Sequence, residues 1–271
     1  MKVLIFSDLH LGHRHPDKKL KRIMAIDEHP DAVLLCGDNA EVDEGLFYHD
    51  LLLEFLSVKF KTPIGLVAGN HDLYGKSIGL TSEDLLYQHY PLLAKKYGAT
   101  YLETENMKIG DWSIAGTYAH YDFSFRKKTA LEALRKGEIT LNDRVLSSED
   151  KRSMVWSRSD EAICKQLLDD FENRLPKGHL ITISHTIPSL SFNGWSDSIS
   201  QDFLASYSGS ARCEQIIAKR QPAYHFCGHT HQFVKGKIGK TIVTNTGATY
   251  DGLRYAMLDT EKDEVIIHDS S

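Results

Sequence analysis

The chain has 271 residues, of which 41% are hydrophobic and 25% are charged, a composition typical of a globular protein. Its 32 basic and 37 acidic residues give a formal net charge of −5, which offers no general electrostatic reason to expect nucleic acid as a partner. The first apolar stretch is too short for a signal peptide, and no run approaches the roughly 20 apolar residues of a membrane span. The four cysteines lack metal-type spacing, so a reduced cytoplasmic location is predicted.

Five short apolar runs recur along the chain, and each is followed by small or polar residues. Their length and their content of Val, Ile and Leu predict strands that are buried on both faces. In chain order they cover residues 2–6, 32–36, 64–68, 179–183 and 223–227.

Helical patterns lie between the runs, at residues 16–29, 82–98, 159–175 and 210–220. Pro91 should kink or interrupt the second helix, and the basic cluster 18–22 should form the solvated face of the first. Strands that alternate with helices predict an α/β protein. Three turn-separated runs at 240–247, 254–259 and 264–269 predict an antiparallel finish.

Two segments fit this alternation poorly, residues 118–157 and 186–209. We interpret them as insertions near the active site of a single domain that covers residues 1–271, because long loops in compact domains are usually functional or disordered. Four aromatic residues of the second segment form either a small satellite core or a wall of the substrate site. They are Phe192, Trp195, Phe203 and Tyr207.

The polar residues that follow the apolar runs should lie close together, because ligand sites of open α/β sheets form beyond the carboxyl ends of the strands. Pairs spaced at i, i+2, such as Asp8 with His10, point the same way in extended backbone. Gly37, Gly69 and Gly228 stand where the chain must turn and approach a centre closely. Carboxylate, amide and imidazole groups suit divalent Mn, Fe and Zn, and seven ligands are enough for two ions that share one carboxylate.

The ordered segments that carry these groups resemble those of the calcineurin-like metallophosphoesterases. The segments are Asp8-x-His10, Gly37-Asp38, Gly69-Asn70-His71-Asp72, His185 and Gly228-His229-Thr230-His231, and Asn245 to Gly247 is similar to a small family motif. The resemblance implies a sandwich of two sheets flanked by helices, with a dimetal site at the sheet edges. It also implies that Asp8, His10 and His231 hold one metal, that Asn70, His185 and His229 hold the other, and that Asp38 bridges them.

The resemblance further implies hydrolysis of a phosphoester by a hydroxide that bridges the metals. His71 then protonates the leaving group as general acid, and Asp72 is expected to help orient it. Residues 37–44 lack the phosphate-binding arginine of the protein Ser/Thr phosphatases, which argues against a phosphoprotein substrate. A phosphomonoester or phosphodiester of a small molecule or a nucleotide remains open.

Two other functions are weighed against this one. A nuclease of the same family is disfavoured by the acidic balance and the lack of a long basic stripe. A catalytically inactive scaffold would have lost ligands, whereas every motif position is present here. The oligomeric state is not predicted.

Several further side chains have simpler interpretations. His13 and His15 copy the ligand spacing but are expected at the surface, and His225 is expected in the core. His120 follows another strand-like run and could contact substrate. Arg126 is expected at the surface, although a phosphate site could use it.

Overall fold

The computed structural model describes residues 1–42, 46–127, 132, 136, 149–195 and 199–270. Asp43 and Glu44 of the Gly37-Asp38 segment, and most residues between 128 and 148, therefore lie outside the described residues. The described strands, in chain order, are β1 Lys2–Phe6, β2 Ala32–Cys36, β3 Ile64–Val67, β4 Thr100–Tyr101, β5 Met107–Ile109, β6 Trp112–Thr117, β7 His179–Ser184, β8 Tyr224–Cys227, β9 Phe233–Ile238, β10 Thr241–Thr246, β11 Leu253–Asp259 and β12 Glu264–Ser270.

These strands form two mixed sheets of six strands each. The first has the order β12-β11-β1-β2-β3-β4, and the second has the order β5-β6-β7-β8-β10-β9. In each sheet the central strands are parallel, while β11 and β12 in the first and β5 and β9 in the second run antiparallel to their neighbours. The predicted antiparallel finish is correct for β11 and β12, but β10 also pairs in parallel with β8.

The apolar runs are buried on both faces because the two sheets pack on each other and on helices. In β1, Val3 and Ile5 face the second sheet and join Ile181 and Phe226, whereas the alternate residues Leu4 and Phe6 join the helix-facing cluster. This alternation is the ordinary period of a strand. The result is an α/β sandwich with helices on its outer sides, as predicted.

The described helices cover Pro16–Met24, Phe47–Phe60, Ser82–Asp84, Tyr90–Lys96, Glu149–Ser153, Asp160–Arg174, Ile199–Leu204 and Ala211–Arg220. Local capping explains several starts, since the side chains of Thr81, Ser159 and Ser210 each accept a hydrogen bond from a backbone N–H of the first turn. Before Pro91 the chain forms a π-helical turn at Leu85–His89, so the predicted interruption takes this form.

The sequence analysis does not predict the helix Phe47–Phe60. Its leucines buried in the core, Leu52, Leu53 and Leu56, stand beside partly buried Leu51 and Phe55, so no narrow apolar stripe marks the segment. All four cysteines are buried and free. Among the described helices, none is long and apolar enough to cross a membrane. The single-domain organisation with two insertions stays a prediction.

Candidate active site

The seven residues predicted as metal ligands meet at one edge of the sandwich, where strand ends of both sheets face each other. β1, β2 and β3 of the first sheet and β7 and β8 of the second each end shortly before one or two of them. Five are buried, and His229 and His231 are half-buried. The set is Asp8, His10, Asp38, Asn70, His185, His229 and His231.

Most of these residues have a left-handed backbone, which is uncommon for a residue with a side chain. The φ angle is 54° at Asp8, 42° at His10, 49° at Asp38, 70° at His229 and 55° at His231. Each such conformation costs on the order of 1 kcal/mol, and it persists where the surroundings hold it in place. The i, i+2 pairs therefore converge through sharp turns, and the expectation that they lie in extended backbone is wrong.

Two glycines allow the backbone to pass close to the ligands. A Cβ atom at Gly69 would collide with the backbone and the carboxylate of Asp38. A Cβ atom at Gly228 would collide with the side chains of Ser7 and Asp8. The predicted close approach at these positions is confirmed.

The first group of potential ligands contains Asp8, His10, Asp38 and His231. His10 Nε2 lies 3.1 Å from His231 Nε2 and 3.5 Å from Asp38 Oδ2. His231 Nε2 lies 3.7 Å from Asp8 Oδ1. Ligand atoms that each lie about 2.1 Å from one ion are separated by roughly 3 Å or slightly more, so these spacings fit a single cation.

The second group contains Asp38, His185 and His229, with Asn70 beside them. His185 Nε2 lies 2.8 Å from Asn70 Oδ1, 3.1 Å from His229 Nδ1 and 3.4 Å from Asp38 Oδ1. Asp38 thus presents one oxygen to each group, as a bridging carboxylate would.

Hydrogen bonds behind the rings determine which imidazole nitrogens are free. His185 Nδ1 lies 2.9 Å from the carbonyl oxygen of Cys36, and His229 Nε2 lies 3.0 Å from that of Tyr207. Because a carbonyl only accepts, these two nitrogens carry the hydrogens, and the nitrogens that face the group carry lone pairs. The amide nitrogen of Asn70 donates to Tyr74 and Asp150, so its oxygen also faces the group as an acceptor.

Burial shifts the pKa values of the same side chains toward their neutral forms. Burial raises the pKa of Asp8 to about 6 and that of Asp38 well above its ordinary value. Burial also lowers the pKa values of His10, His185 and His229, and it lowers that of His231 to about 4. A neutral imidazole is the form that binds a divalent metal, and the raised carboxylate pKa values indicate that burial outweighs the positive charge around Asp8 and Asp38, which a bound cation would offset. The donor set therefore fits two divalent cations.

His71 lies beside both groups, with a free ring nitrogen. Its backbone N–H donates to Asp38 Oδ1 at 2.9 Å, and its Nδ1 lies 2.9 Å from Glu41 Oε2. Burial acts to lower the pKa of His71, but the charge of Asp38 and the hydrogen bond and charge of Glu41 outweigh it and raise the pKa to about 10. His71 Nε2 is thus left for a substrate, with Nδ1 anchored.

Glu41 is a functional residue that the sequence analysis missed. Its two carboxylate oxygens accept hydrogen bonds from His10 Nδ1 at 2.8 Å and from His71 Nδ1 at 2.9 Å. Although burial acts to raise the pKa of Glu41, the hydrogen bonds from the two histidines hold it below its ordinary range. A signal is present in the sequence, since Glu41 follows Asp38 by three residues in the segment 37–44.

Asp72 does not orient His71, contrary to expectation. Its carboxylate accepts hydrogen bonds from the backbone N–H groups of Asn39, Ala40 and Gly69 and lies 2.9 Å from His49 Nε2. A fully buried carboxylate needs several donors, which these backbone groups and His49 supply, while the ring of His71 is bonded to Glu41. Asp72 holds the loops after β2 and β3 together, and Glu41 takes the expected orienting position.

Side chains from the two irregular segments, and Asn245 of β10, form hydrogen bonds with the loops that carry the proposed ligands. Asp150 Oδ1 lies 2.9 Å from Asn70 Nδ2 and accepts a hydrogen bond from Tyr74 Oη at 2.5 Å. Trp195 Nε1 donates to the carbonyl of Thr230, between the two histidines of the last motif, at 3.1 Å. Asn245 Nδ2 donates to the hydroxyl of the same Thr230 at 2.8 Å.

The aromatic residues of segment 186–209 lie in two separate clusters, and the alternative of a substrate wall stays a prediction. Phe192 is buried in the core beneath the second sheet. Phe203 and Tyr207 instead belong to an aromatic cluster with Tyr121 and Phe123, whose ring centroids lie 5.0–5.8 Å apart. The backbone carbonyl of Tyr207 in this cluster binds His229, so the segment contacts the candidate site directly.

A tyrosine and a lysine near the first group were also missed. The ring of Tyr250 lies 4.5 Å, centroid to centroid, from the rings of His10 and His231. Lys19 was expected on a solvated face, but it is buried and its ammonium donates to the carbonyls of Leu9 and Tyr250. Lys19 thus supplies hydrogen bonds to two backbone carbonyls near the end of β1. The periodicity of the helix does not indicate such a role.

Other side chains are placed largely as expected. His13 and His15 are exposed, and His225 is a buried histidine bonded to Thr182 and Ser184. His120 is fully buried, with its Nε2 3.0 Å from Asp160 Oδ1 and its Nδ1 3.0 Å from Tyr118 Oη, and a contact with substrate stays a prediction. Exposed Arg126 lies over the ring of Phe123 at 4.9 Å.

The family follows from a comparison with known protein families. The model of the calcineurin-like phosphoesterase family matches residues 1–233, most of the chain and every motif that supplies a predicted ligand. The chain belongs to the calcineurin-like phosphoesterase family. A search of curated proteins finds no match.

Solved structures share the fold of this calcineurin-like phosphoesterase. Phosphopantetheinyl hydrolase from Mycobacterium tuberculosis superposes with a TM-score of 0.72 at 15% identity, over 92% of this chain and 89% of that one. The protein TT1561 of Thermus thermophilus superposes with a TM-score of 0.63 at 14% identity, over 99% and 98% of the two chains. At such identities the likeness concerns the fold alone.

The family and the clusters together define the chemistry at a coarse level. This calcineurin-like phosphoesterase is a metal-dependent hydrolase that acts on phosphoester bonds. Its groups of Asp and His side chains could hold metal ions.

Proposed function

We propose that this protein hydrolyses a phosphoester of a small molecule or a nucleotide with two divalent metal ions at the strand-end cluster. Asp8, His10 and His231 would hold one ion, Asn70, His185 and His229 would hold the other, and Asp38 would bridge them. When bound, two such ions activate a water molecule and neutralise charge on the phosphoryl group. The observation that carries the proposal is the convergence of unprotonated ligand atoms in two groups that share Asp38.

His71 is proposed as the general acid. Its Nδ1 is bonded to Glu41, so Nε2–H is the proton that can pass to the departing oxygen. Its backbone N–H is bonded to Asp38, which places the ring beside the bridging carboxylate. Glu41 holds the ring at the angle that this transfer requires and is therefore a positioning residue.

Metal identity and location complete the proposal. Imidazole, amide and carboxylate donors accept Mn, Fe and Zn, and neither ligand group contains a thiolate that would favour a softer ion. The protein is proposed to work in the cytoplasm, with its four buried cysteines reduced.

The test is to relate bound metal to activity. Purified protein would be analysed for metal by mass spectrometry, stripped with a chelator, and titrated with Mn²⁺, Fe²⁺ or Zn²⁺ while nitrophenol release is followed. We expect activity to disappear on stripping and to return as the content approaches two ions per chain. Full activity in metal-free protein would refute the proposal, as would two bound ions without phosphoesterase activity on either ester class.

A further inference from the structure

The side-chain amide of Asn70 is bonded to two residues outside the proposed ligand set. Its nitrogen donates to Asp150 Oδ1 at 2.9 Å and to Tyr74 Oη at 3.0 Å. The Tyr74 hydroxyl in turn donates to the same oxygen of Asp150 at 2.5 Å. All three side chains are buried. Both amide hydrogens of Asn70 and the hydroxyl hydrogen of Tyr74 therefore have an acceptor within this group of three residues, which we call the Asn70 triangle.

The opposite orientation of the Asn70 amide would lose hydrogen bonds on both of its sides. Asn70 Oδ1 lies 2.8 Å from His185 Nε2 and 2.9 Å from His229 Nδ1, the two ring nitrogens that carry lone pairs. A rotated amide would turn its hydrogens toward the proposed ion and its oxygen toward Asp150. An ionised carboxylate only accepts, so it cannot form a hydrogen bond with that oxygen. Asp150 thus excludes the orientation in which Asn70 is unable to bind a cation.

Asp150 reaches Asn70 from a separate segment whose position is fixed by Ser82. Asp150 lies on the helix Glu149–Ser153, 80 residues along the chain from Asn70. Just beyond that helix, the N–H of Val155 donates to Ser82 Oγ at 3.0 Å, and the N–H of Ser82 donates to the carbonyl of Val155 at 2.9 Å. Ser82 Oγ also donates to the carbonyl of Leu73 at 2.9 Å. The helix is therefore connected, through Ser82, to the loop that carries Asn70.

We propose that Asp150 is a positioning residue for the second metal ion, the one assigned to Asn70, His185 and His229. It would fix Asn70 as an oxygen ligand, and the Tyr74 hydroxyl would complete the arrangement. The inference rests on the proposed function, because it takes Asn70 as a ligand of that ion. It requires the affinity for the second ion to depend on the orientation of the Asn70 amide, and not merely on the negative charge of Asp150.

The first experiment measures metal binding in Asp150→Asn. The introduced amide donates as well as accepts, so both orientations of the Asn70 amide find a partner. Calorimetry on metal-stripped protein would follow the binding of Mn²⁺, and Asn70→Ala would identify the binding step that belongs to the second ion. We expect the affinity in that step to fall about 10–100-fold, as is typical for loss of an outer partner, and the other step to stay unchanged.

A spectroscopic measurement accompanies the calorimetry. Two Mn²⁺ ions that share a carboxylate are magnetically coupled, and their electron paramagnetic resonance spectrum differs from that of a single ion. We expect the coupled spectrum to weaken in Asp150→Asn at Mn²⁺ concentrations that saturate the wild type. Glu149→Gln, an exposed carboxylate on the same helix, is the matched control. An unchanged second step in folded Asp150→Asn would overturn the inference.

Tyr74→Phe tests the triangle without a change of charge. The variant keeps the ring, which lies 4.6 Å from the ring of His71, and removes only the hydroxyl. Because one hydrogen bond to the Asn70 amide is lost, we expect the second ion to bind roughly five-fold more weakly. Tyr255→Phe, whose hydroxyl bonds Glu28, is the matched control. Unchanged affinity in Tyr74→Phe would overturn the inference even if Asp150→Asn failed to fold.

The exchanged pair Asn70→Asp/Asp150→Asn separates positioning from charge. In Asn70→Asp alone, two carboxylates would face each other, which disfavours the ionised form of the ligand. Adding Asp150→Asn in that background supplies an amide donor to the new carboxylate. We therefore expect it to strengthen binding of the second ion, opposite to its effect in the wild type.

Weaker binding of the second ion in both backgrounds would indicate an effect of charge alone and would overturn the inference. Failure of the proposed function would be recognised separately. A protein that binds two ions yet hydrolyses neither phosphomonoesters nor phosphodiesters would contradict that function, whereas the affinities of the variants report on the Asn70 triangle without any turnover.

Discussion

The two halves of the candidate site are supported by different parts of the chain. The half with Asp8, His10 and His231 is supported by Glu41, just beyond β2, and by Lys19 on the first helix. The half with Asn70, His185 and His229 also depends on Asp150 and on the carbonyl of Tyr207, which belong to the two irregular segments. The first half is therefore supported by the strand ends and the first helix, whereas the second also depends on the two irregular segments. Substitutions in each half should fail in different ways.

Removal of the shared carboxylate should have the largest effect, because it damages both halves at once. Asp38→Ala would leave two cations without their common ligand, and we expect activity to fall below detection and bound metal to decrease. Metal analysis and nitrophenol release measure the two outcomes. Asp111→Ala, at an exposed turn before β6, is the control. A variant that keeps two metals and measurable activity would show that Asp38 is not the bridge.

Replacement of His71, the proposed acid, should have the next largest effect. That effect should differ in kind from the effect of replacing its neighbour Asn70. We expect His71→Ala to keep both metals and to lose roughly 10²–10⁴-fold in kcat, more for an alkoxide than for a nitrophenolate leaving group. Asn70→Ala should instead weaken metal binding in the second half, and excess metal should restore part of the activity. The measurement is a substrate series that spans leaving-group pKa, with His15→Ala as the exposed control.

Two results obtained with His71→Ala would show that His71 is not the general acid. One is an equal loss for every leaving group, since a proton donor matters least when the leaving group is already a weak base. The other is loss of metal from His71→Ala, which would indicate a ligand.

Replacement of Glu41 should have a smaller effect, confined to the first half. Glu41→Gln keeps the shape but turns one acceptor oxygen into an amide, so either His10 or His71 loses its partner. Loss of an outer partner typically costs 10–100-fold in metal affinity or activity, and we expect a fall in kcat of about that size. Glu28→Gln is the surface control. A loss that depends on the leaving group would locate the damage at His71, and weaker metal binding would locate it at His10. An unchanged kcat together with unchanged metal affinity would show that Glu41 does not act as a positioning residue.

The smallest effect is expected at Trp195. Its replacement tests how segment 186–209 supports the motif at residues 228–231. Trp195→Phe removes the N–H that donates to Thr230, and a net hydrogen bond of about 1 kcal/mol corresponds to a few-fold weaker metal binding. KM should stay unchanged. If Trp195 instead formed part of a wall of the substrate site, its replacement would raise KM. Trp112→Phe, at the amino end of β6, is the matched control. A raised KM with normal metal affinity would favour the substrate wall.

Local patterns in the sequence were enough to predict most of the described strands, though not β4, β5 and β9, and to select the seven residues proposed as ligands. The five apolar runs correspond to β1, β2, β3, β7 and β8, because a strand buried on both faces must be apolar throughout. The proposed ligands were selected because each follows such a run, where an open sheet places its site. The helix Phe47–Phe60 was missed, since its apolar residues do not form a single stripe.

Partners of the ligands depend on distances in space and could not be predicted in the same way. Asn70 and Asp150 are 80 residues apart in sequence, and no local pattern relates a strand end to a short helix on another segment. Likewise, Asp72 is the type of residue that commonly orients a histidine, so it was expected to be the partner of His71. In the structure its carboxylate instead accepts hydrogen bonds from nearby backbone N–H groups.

The sequence by itself thus determined the alternation of strands and helices, the family, and the set of groups that converge at the strand ends. Those features follow from periodicity and from residue types at fixed places in short motifs. Only the tertiary structure decided that Glu41 anchors His71, that Lys19 is buried beneath Tyr250 and that Asp150 accepts a hydrogen bond from Asn70. A buried charge takes whichever partner the folded chain brings within hydrogen-bonding distance, and that distance is set by packing rather than by neighbours along the sequence.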